Sequence, residues 1–219
     1  MSIDHHPSEE RLLDYVSGSL GESWSLAVAT HLAMCPKCRN TVARLEAVGG
    51  GMMDAAEPAT LADNSFDAVW ARLETEPEEA DSVPAMAAYA GNKIDLPEPL
   101  RSYVGGSVDA LPWQNMGLGV RQLLIPTTDQ STARLLCVPA GKPVPEHTHR
   151  GEEVTLVLHG AFHDLTGTYA AGDFQEADET VMHQPHAEKG GDCICLAVTD
   201  APLKFRNVAF RLVQPFIGI

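Results

Sequence analysis

Two short runs of this 219-residue chain gather the residue types that bind transition metals. The first is His31-x3-Cys35-x2-Cys38. Residues four apart share a helix face, so His31 and Cys35 project from one side, and Cys38 follows where a new helix begins at Pro36. Imidazole and thiolate are the donors of a structural zinc site, which takes four of them in a tetrahedron. The fourth must come from elsewhere, and His5 or His6, near a polar N-terminus, can supply it. Read alone, Cys35-x2-Cys38 also fits a redox dithiol. That chemistry calls for a βαβ setting, which the flanking residues do not provide. The second run is His147-x-His149-x3-Glu153. On a strand, residues two apart point to the same side, and Glu153 keeps that parity past the corner at Arg150 and Gly151. Two imidazoles and a carboxylate suit zinc, iron, manganese or nickel.

The elements that must hold these residues change in kind along the chain. Ser8 precedes EERLLDYVSGSL, with acids in the first turn and Leu12, Leu13, Val16 and Leu20 on roughly one face. Ser23 is placed to cap a second helix, in which Trp24, Val28 and Leu32 recur at four-residue steps. A third helix is expected from Pro36 to roughly Val48, ending at Gly49-Gly50-Gly51, and a fourth from Ser65 to Glu74. Residues 76–100, rich in Pro, Ala and Glu, read as an acidic linker. From Arg101 the texture becomes short strands between turn residues: GVRQLLIP, TARLLCVP, VTLVLHGAF, DCICLAV and FRLVQPF. Regular short strands point to a β-sandwich or barrel. The expected organisation is a helical domain over 1–75, a linker over 76–100 and a β domain over 101–219.

Composition narrows the function. The formal net charge is −15, which argues against direct binding of nucleic acid, because phosphates require Lys and Arg. Residues 1–85 carry 5 Lys/Arg against 15 Asp/Glu, and residues 86–219 carry 10 against 15. A basic partner would therefore meet the N-terminal part. No run approaches the roughly 18 apolar residues of a membrane span, and the polar N-terminus has no secretory-signal pattern. Five cysteines in a chain of this length fit a reducing, cytoplasmic setting.

These motifs carry a resemblance. His6-x24-His31-x3-Cys35-x2-Cys38, within HPSEERLLDYVSGSL and SLAVATHLAMCPKC, resembles the zinc-binding domain of bacterial anti-sigma factors, in particular the ChrR-type members. The family register favours His6, next to Pro7, over His5. The resemblance implies a small four-helix zinc-binding domain that wraps an extracytoplasmic-function sigma factor. Gly141-x5-His147-x-His149-x3-Glu153-x6-Gly160 matches the first cupin motif at every fixed position. Aligning the second cupin motif on Gly172 puts Asp178, Thr180 and Ala187 where Pro, Gly and Asn usually stand. His183 falls on the motif's histidine. The turn positions are degraded while the ligand remains, which gives a set of His147, His149, Glu153 and His183. The ChrR-type proteins carry such a cupin-like C-terminal domain, with its metal taken to be zinc, so the resemblance covers essentially the whole chain. It implies a multidomain α and β protein: a structural zinc in the helical domain, and zinc or another divalent metal in a cupin β-barrel of jelly-roll type. It implies no catalytic residues. The expected function is sequestration of a sigma factor and its release on an oxidative signal, singlet oxygen in the ChrR-type proteins.

The remaining cysteines, histidines and methionines have plainer roles open to them. Cys193 and Cys195 alternate onto one strand face. They are a candidate redox pair if accessible and activated, and otherwise two small core residues. His159, His163 and His186 are read as rim or surface residues. Met52 and Met53, beside the triple glycine, are read as a loop. The competing function is a metal-dependent cupin oxygenase with a helical partner-binding appendix, which would need iron and an open coordination position.

Overall fold

The computed structural model describes residues 2–75 and 94–206. Most of the expected linker and the FRLVQPF strand lie outside the described residues. The helices are α1 (Glu9–Ser17), α2 (Glu22–Met34), α3 (Pro36–Asp54), α4 (Ser65–Thr75) and the short α5 (Leu100–Val104). The strands are β1 (Gln114–Gly117), β2 (Val120–Ile125), β3 (Thr132–Val138), β4 (His147–Thr148), β5 (Glu153–His159) and β6 (Ala161–His163). They continue as β7 (Thr168–Ala170), β8 (Phe174–Ala177), β9 (His186–Ala187), β10 (Cys193–Thr199) and β11 (Lys204–Phe205).

Six strands form one sheet in the order β1-β2-β3-β10-β5-β8, with every pair antiparallel. A three-stranded sheet, β7-β6-β9, and the pair β11-β4 make up the rest of the β part among the described residues. The large sheet has an apolar core on each face. Val157, Phe162, Tyr169, Cys193 and Cys195 belong to one, between the sheet and β6-β7. Leu135, Leu156, Leu196 and Val198 belong to the other, and they share it with Leu12, Trp24, Leu26, Ala27 and Val28 of α1 and α2. Strand alternation produces this division, since neighbours such as Leu156 and Val157 go to opposite faces.

The chain separates into two compact units. One joins Met1–Glu46 to Lys93–Ile219, and the other is Ala47–Asn92. The first helices are therefore packed with the β part, and α2 lies on β3, β5 and β10. This explains why α2 shows no clean polar stripe: Ser23, Trp24, Leu26, Ala27, Val28, Thr30, His31 and Leu32 are all buried. Each large apolar side chain so buried contributes about 1.5–3 kcal/mol. Arg11 on α1 adds ion pairs to Glu152 at 2.7 Å and Glu176 at 3.2 Å. At the far end of the expected linker, Leu96 and Leu100 are also buried in this core.

Helix ends follow the expected chemistry at α1 and depart from it twice. Ser8 accepts a hydrogen bond from the Arg11 backbone N–H at 3.2 Å, and Gly18 closes α1 in the left-handed conformation. Ser23 does not cap α2, which starts one residue earlier after Gly21. The Asp129 carboxylate, from the β2–β3 loop, takes over the task. It accepts the Ser23 backbone N–H at 3.2 Å and the Ser23 hydroxyl at 2.6 Å. The triple glycine does not end α3, which runs through it to Asp54. Glycine lowers helix propensity by about 1 kcal/mol per residue without forbidding the conformation. Met52 and Met53 thus sit on an exposed helical turn, not in a loop.

Candidate metal centres

The structure brings His6, His31, Cys35 and Cys38 together, with one ligand atom of each lying within 4.8 Å of all the others. Three elements deliver them. His31 sits in the last turn of α2, Cys35 at its end, and Cys38 in the first turn of α3. His6 arrives on the extended segment before α1. The His31 Nε2 lies 3.3 Å from the Cys38 sulfur, and the His6 Nδ1 lies 3.5 Å from each sulfur. A zinc tetrahedron with bonds of about 2.0 Å to nitrogen and 2.3 Å to sulfur has N···S edges of about 3.5 Å. The donor set and its spacing therefore fit zinc. His5 turns away from the cluster: its ring lies against Tyr169, and its Nδ1 is 3.5 Å from Asp173.

The surroundings orient these ligands. The His31 Nδ1–H donates to the Gly172 carbonyl at 2.9 Å, which leaves the Nε2 lone pair aimed at the cluster. The Cys38 backbone N–H donates to the Cys35 sulfur at 3.5 Å, at the positive end of α3. Without a metal, His6, His31 and Cys38 are held toward their neutral forms. Burial lowers His31 to about 4, only partly opposed by its bond to Gly172, and burial also lowers His6. Burial and the bond to Cys35 push the Cys38 thiol up to about 12. A metal must displace thiol protons here and has none to displace from His31 near neutral pH.

The second cluster joins His147, His149, Glu153 and His183, again with ligand atoms all within 4.8 Å of one another. His147 opens the short β4, His149 directly follows it, and Glu153 opens β5. His183 reaches the site through a reciprocal backbone pairing with His147, at 3.0 and 3.1 Å. The His183 Nε2 lies 3.0 Å from the His147 Nε2 and 3.2 Å from the His149 Nε2. Two of these rings have their protons committed elsewhere. The His147 Nδ1–H donates to the Pro145 carbonyl at 2.8 Å, and the His183 Nδ1–H donates to the Asp164 carboxylate at 2.8 Å. The Nε2 atoms left by these bonds face each other, an arrangement that a shared cation resolves.

The electrostatics agree with that reading. Burial lowers His147, and it lowers His149 to about 3 with help from the two neighbouring imidazoles. Burial raises the Glu153 carboxyl, opposed by His147, Thr155 and Arg134. Burial also raises Asp164, but hydrogen bonds from Thr166, Gln175 and His183 together outweigh it and hold the carboxyl at about 2. Donors of this kind, imidazole with one carboxylate, fit a divalent transition metal and do not select one.

Sequence spacing did not reveal the outer partners. Asp164, Gly172 and Asp173 act through contacts more than ten residues away, and no periodicity signals them. Among the other candidates, His159 and His163 are exposed, and His186 is half-buried with its ring stacked on His163. Cys193 and Cys195 lie in the core on β10 with sulfurs 3.5 Å apart. The bond to Cys193 and full burial push the Cys195 thiol well up, so the pair has the setting of packed thiols. Beside the second cluster, Met116, Leu118, Leu136, Val144, Leu203 and Phe205 line an apolar cavity of about 70 Å³ that reaches Glu153 and Arg134.

Comparisons with known proteins bear on both halves of the chain. A family model described as a ChrR cupin-like domain matches residues 102–202. Anti-sigma-E factor ChrR of Cereibacter sphaeroides is 46% identical over 219 residues, covering 100% of both chains. A chain in the crystal structure of Rhodobacter sphaeroides SigE in complex with the anti-sigma ChrR matches with a TM-score of 0.78 and 42% identity. That match covers 91% of this chain and 100% of the other.

Proposed function

Because the chain belongs to the ChrR family of anti-sigma factors, we propose that it is a non-enzymatic regulator that sequesters an extracytoplasmic-function sigma factor in the cytoplasm. The observation that carries this reading is the end-to-end match at 46% identity to an anti-sigma-E factor. The first cluster holds zinc through His6, His31, Cys35 and Cys38. Its donor set supports this, as does the small helical core, which a metal tying three elements together would stabilise.

The acidic N-terminal half suits a basic partner. The described part of the Ala47–Asn92 unit also exposes apolar side chains suited to a protein partner. Met52 and Met53 on α3 and Phe66, Val69, Trp70 and Leu73 on α4 are all more than half exposed. No helix among the described residues is long and apolar enough to cross a membrane.

The cupin centre is the input, with zinc or another divalent metal held by His147, His149, Glu153 and His183. A bound metal there would supply a Lewis-acidic point; zinc is redox-inert, so with zinc an oxidant would act on a ligand side chain. The chain positions that metal through the Pro145 carbonyl, Asp164 and Thr155, whose hydroxyl donates to Glu153 at 3.2 Å. An oxidative signal, singlet oxygen or a related oxidant, changes this centre and favours the sigma-free state. Cys193 and Cys195 are a redox pair only if that change exposes them. Co-expression with the candidate sigma factor, followed by co-purification and metal analysis, tests the reading. Wild type should retain the sigma factor with two metals per chain. Cys35→Ala/Cys38→Ala should lose the partner and one metal. Retention of the sigma factor by that variant would refute the zinc-dependent part.

A further inference from the structure

Strand β8 and the turn before it touch both metal centres. Successive side chains on a strand point to opposite faces, and here the two faces belong to different centres. Toward the helices, the Gly172 carbonyl accepts the His31 Nδ1–H, and the Phe174 ring stands edge-on to the His31 ring at 5.6 Å. The Asp173 carboxylate accepts the backbone N–H groups of Asp4 and His5 at 2.8 and 3.0 Å. The Phe174 backbone N–H donates to the His5 carbonyl at 3.2 Å, one residue before the ligand His6. Toward the barrel, the Gln175 side-chain amide donates to Asp164 at 2.9 Å and to Thr166 at 2.8 Å, and the same Asp164 oxygen holds His183. Gln175 is paired across β5 with Thr155, the residue that holds Glu153. Asp173, Phe174 and Gln175 are all buried, so these contacts are not exchanged for water.

We infer that the four-residue segment Gly172–Gln175 couples the two metal centres, with Gln175 as the positioning residue on the cupin side. When the cupin centre is filled, His183 and Glu153 are fixed, and through Asp164 and Thr155 so is β8. The segment then presents the Gly172 carbonyl and the Asp173 carboxylate where His31 and the His6 segment need them. When the cupin centre is empty, that restraint is lost and the helical centre holds its metal less tightly. Such coupling is reciprocal: each centre changes the affinity of the other by the same factor. The inference deepens the regulator reading and rests on it for its use, since it makes the cupin centre legible at the site that folds the sigma-binding helices.

The test uses the full-length chain loaded with cobalt(II). Only the Cys35/Cys38 centre contains sulfur, so only it gives a thiolate-to-cobalt charge-transfer band. The loss of that band to a chelator is timed in wild type and in His147→Ala/His149→Ala. It is timed again in Gln175→Met, which conserves volume but cannot donate, and in the combined variant. We expect the band to decay about fivefold faster or more when the cupin centre is disabled, in the range of typical coupling energies. In the Gln175→Met background, disabling the cupin centre should change nothing further. A merely structural role for Gln175 would speed decay while leaving the dependence on the cupin centre intact, and that result overturns the inference. So does equal decay with and without the cupin ligands in the otherwise native chain. Should Gln175→Met fail to fold, hydrogen exchange at the Asp4 and His5 amides decides between wild type and His147→Ala/His149→Ala. Faster exchange in the variant is expected, and unchanged exchange refutes the coupling. No sigma factor enters the assay, so its outcome and that of the co-purification stand apart.

Discussion

The two metal clusters differ in donors, in scaffold and in what would follow from losing each. The helical cluster has two thiols and two imidazoles, on elements with little core of their own. Soft, closed tetrahedral sites of this kind stabilise folds. The cupin cluster has three imidazoles and one carboxylate, set in strands that are already hydrogen-bonded into sheets. Removing its metal leaves a barrel. The difference divides the proposed roles: one centre would set whether the sigma-binding region folds, and the other what that region responds to.

The largest effect should come from the helical centre. Structural zinc sites of this class contribute about 10–16 kcal/mol of binding free energy near neutral pH. Cys35→Ala/Cys38→Ala should therefore leave the first helices unfolded, seen as lost helical circular dichroism with the β signal retained. If both signals persist, the contrast between the centres collapses.

Acid should separate the centres next. In metal-free protein, His31 sits at about 4 against an ordinary value near 6.5. The unfolded chain then binds more protons than the folded one between these values. Stability from keeping His31 neutral is fully present above about pH 6.5 and is lost as the pH falls toward 4, by about 3 kcal/mol. His149, at about 3, extends the loss to lower pH on the cupin side. Urea titrations of the apo protein at pH 7, 5.5 and 4 should show this fall. His31→Gln should flatten its upper part.

A smaller effect tests how far the helical centre leans on the β part. Gly172 has a φ of +98°, and a Cβ there would lie 2.6 Å from the Ile3 side chain. Gly172→Ala should cost about 1–3 kcal/mol, and thermal melting should lower the transition of the first 46 residues with the barrel. Smaller still, Ser23→Ala removes the 2.6 Å bond to Asp129 at the start of α2 and should cost about 1–2 kcal/mol. The exposed Ser17→Ala should cost almost nothing by the same measure.

The clusters were legible in the sequence to unequal depth. His31, Cys35 and Cys38 are close in sequence, as are His147, His149 and Glu153, so helix and strand periodicity brings each set to one side. His6 and His183 came through a family register, because no local period links positions 25 to 30 residues away. The helices of the first 75 residues were readable from apolar spacing and, at α1, from its cap, but the start of α2 and the end of α3 were not. Three glycines look like a terminator, yet the helix continues through them. The burial of α2 on β3, β5 and β10 was hidden for a different reason. A helix covered on several sides carries no polar stripe, and its partners lie roughly 100 to 170 residues on. Asp164 and Asp173 were missed for the same reason: each is an ordinary loop acid in the sequence, and only the folded chain sets one beside His183 and the other beside the His6 segment.

The most direct test of the division between the centres is sigma-factor retention on the immobilised chain, measured before and after exposure to singlet oxygen. Wild type should bind and then release its partner, whereas the sigma factor that His147→Ala/His149→Ala binds should show no further release on exposure. Normal release from that variant would contradict the assignment of the cupin centre as the input.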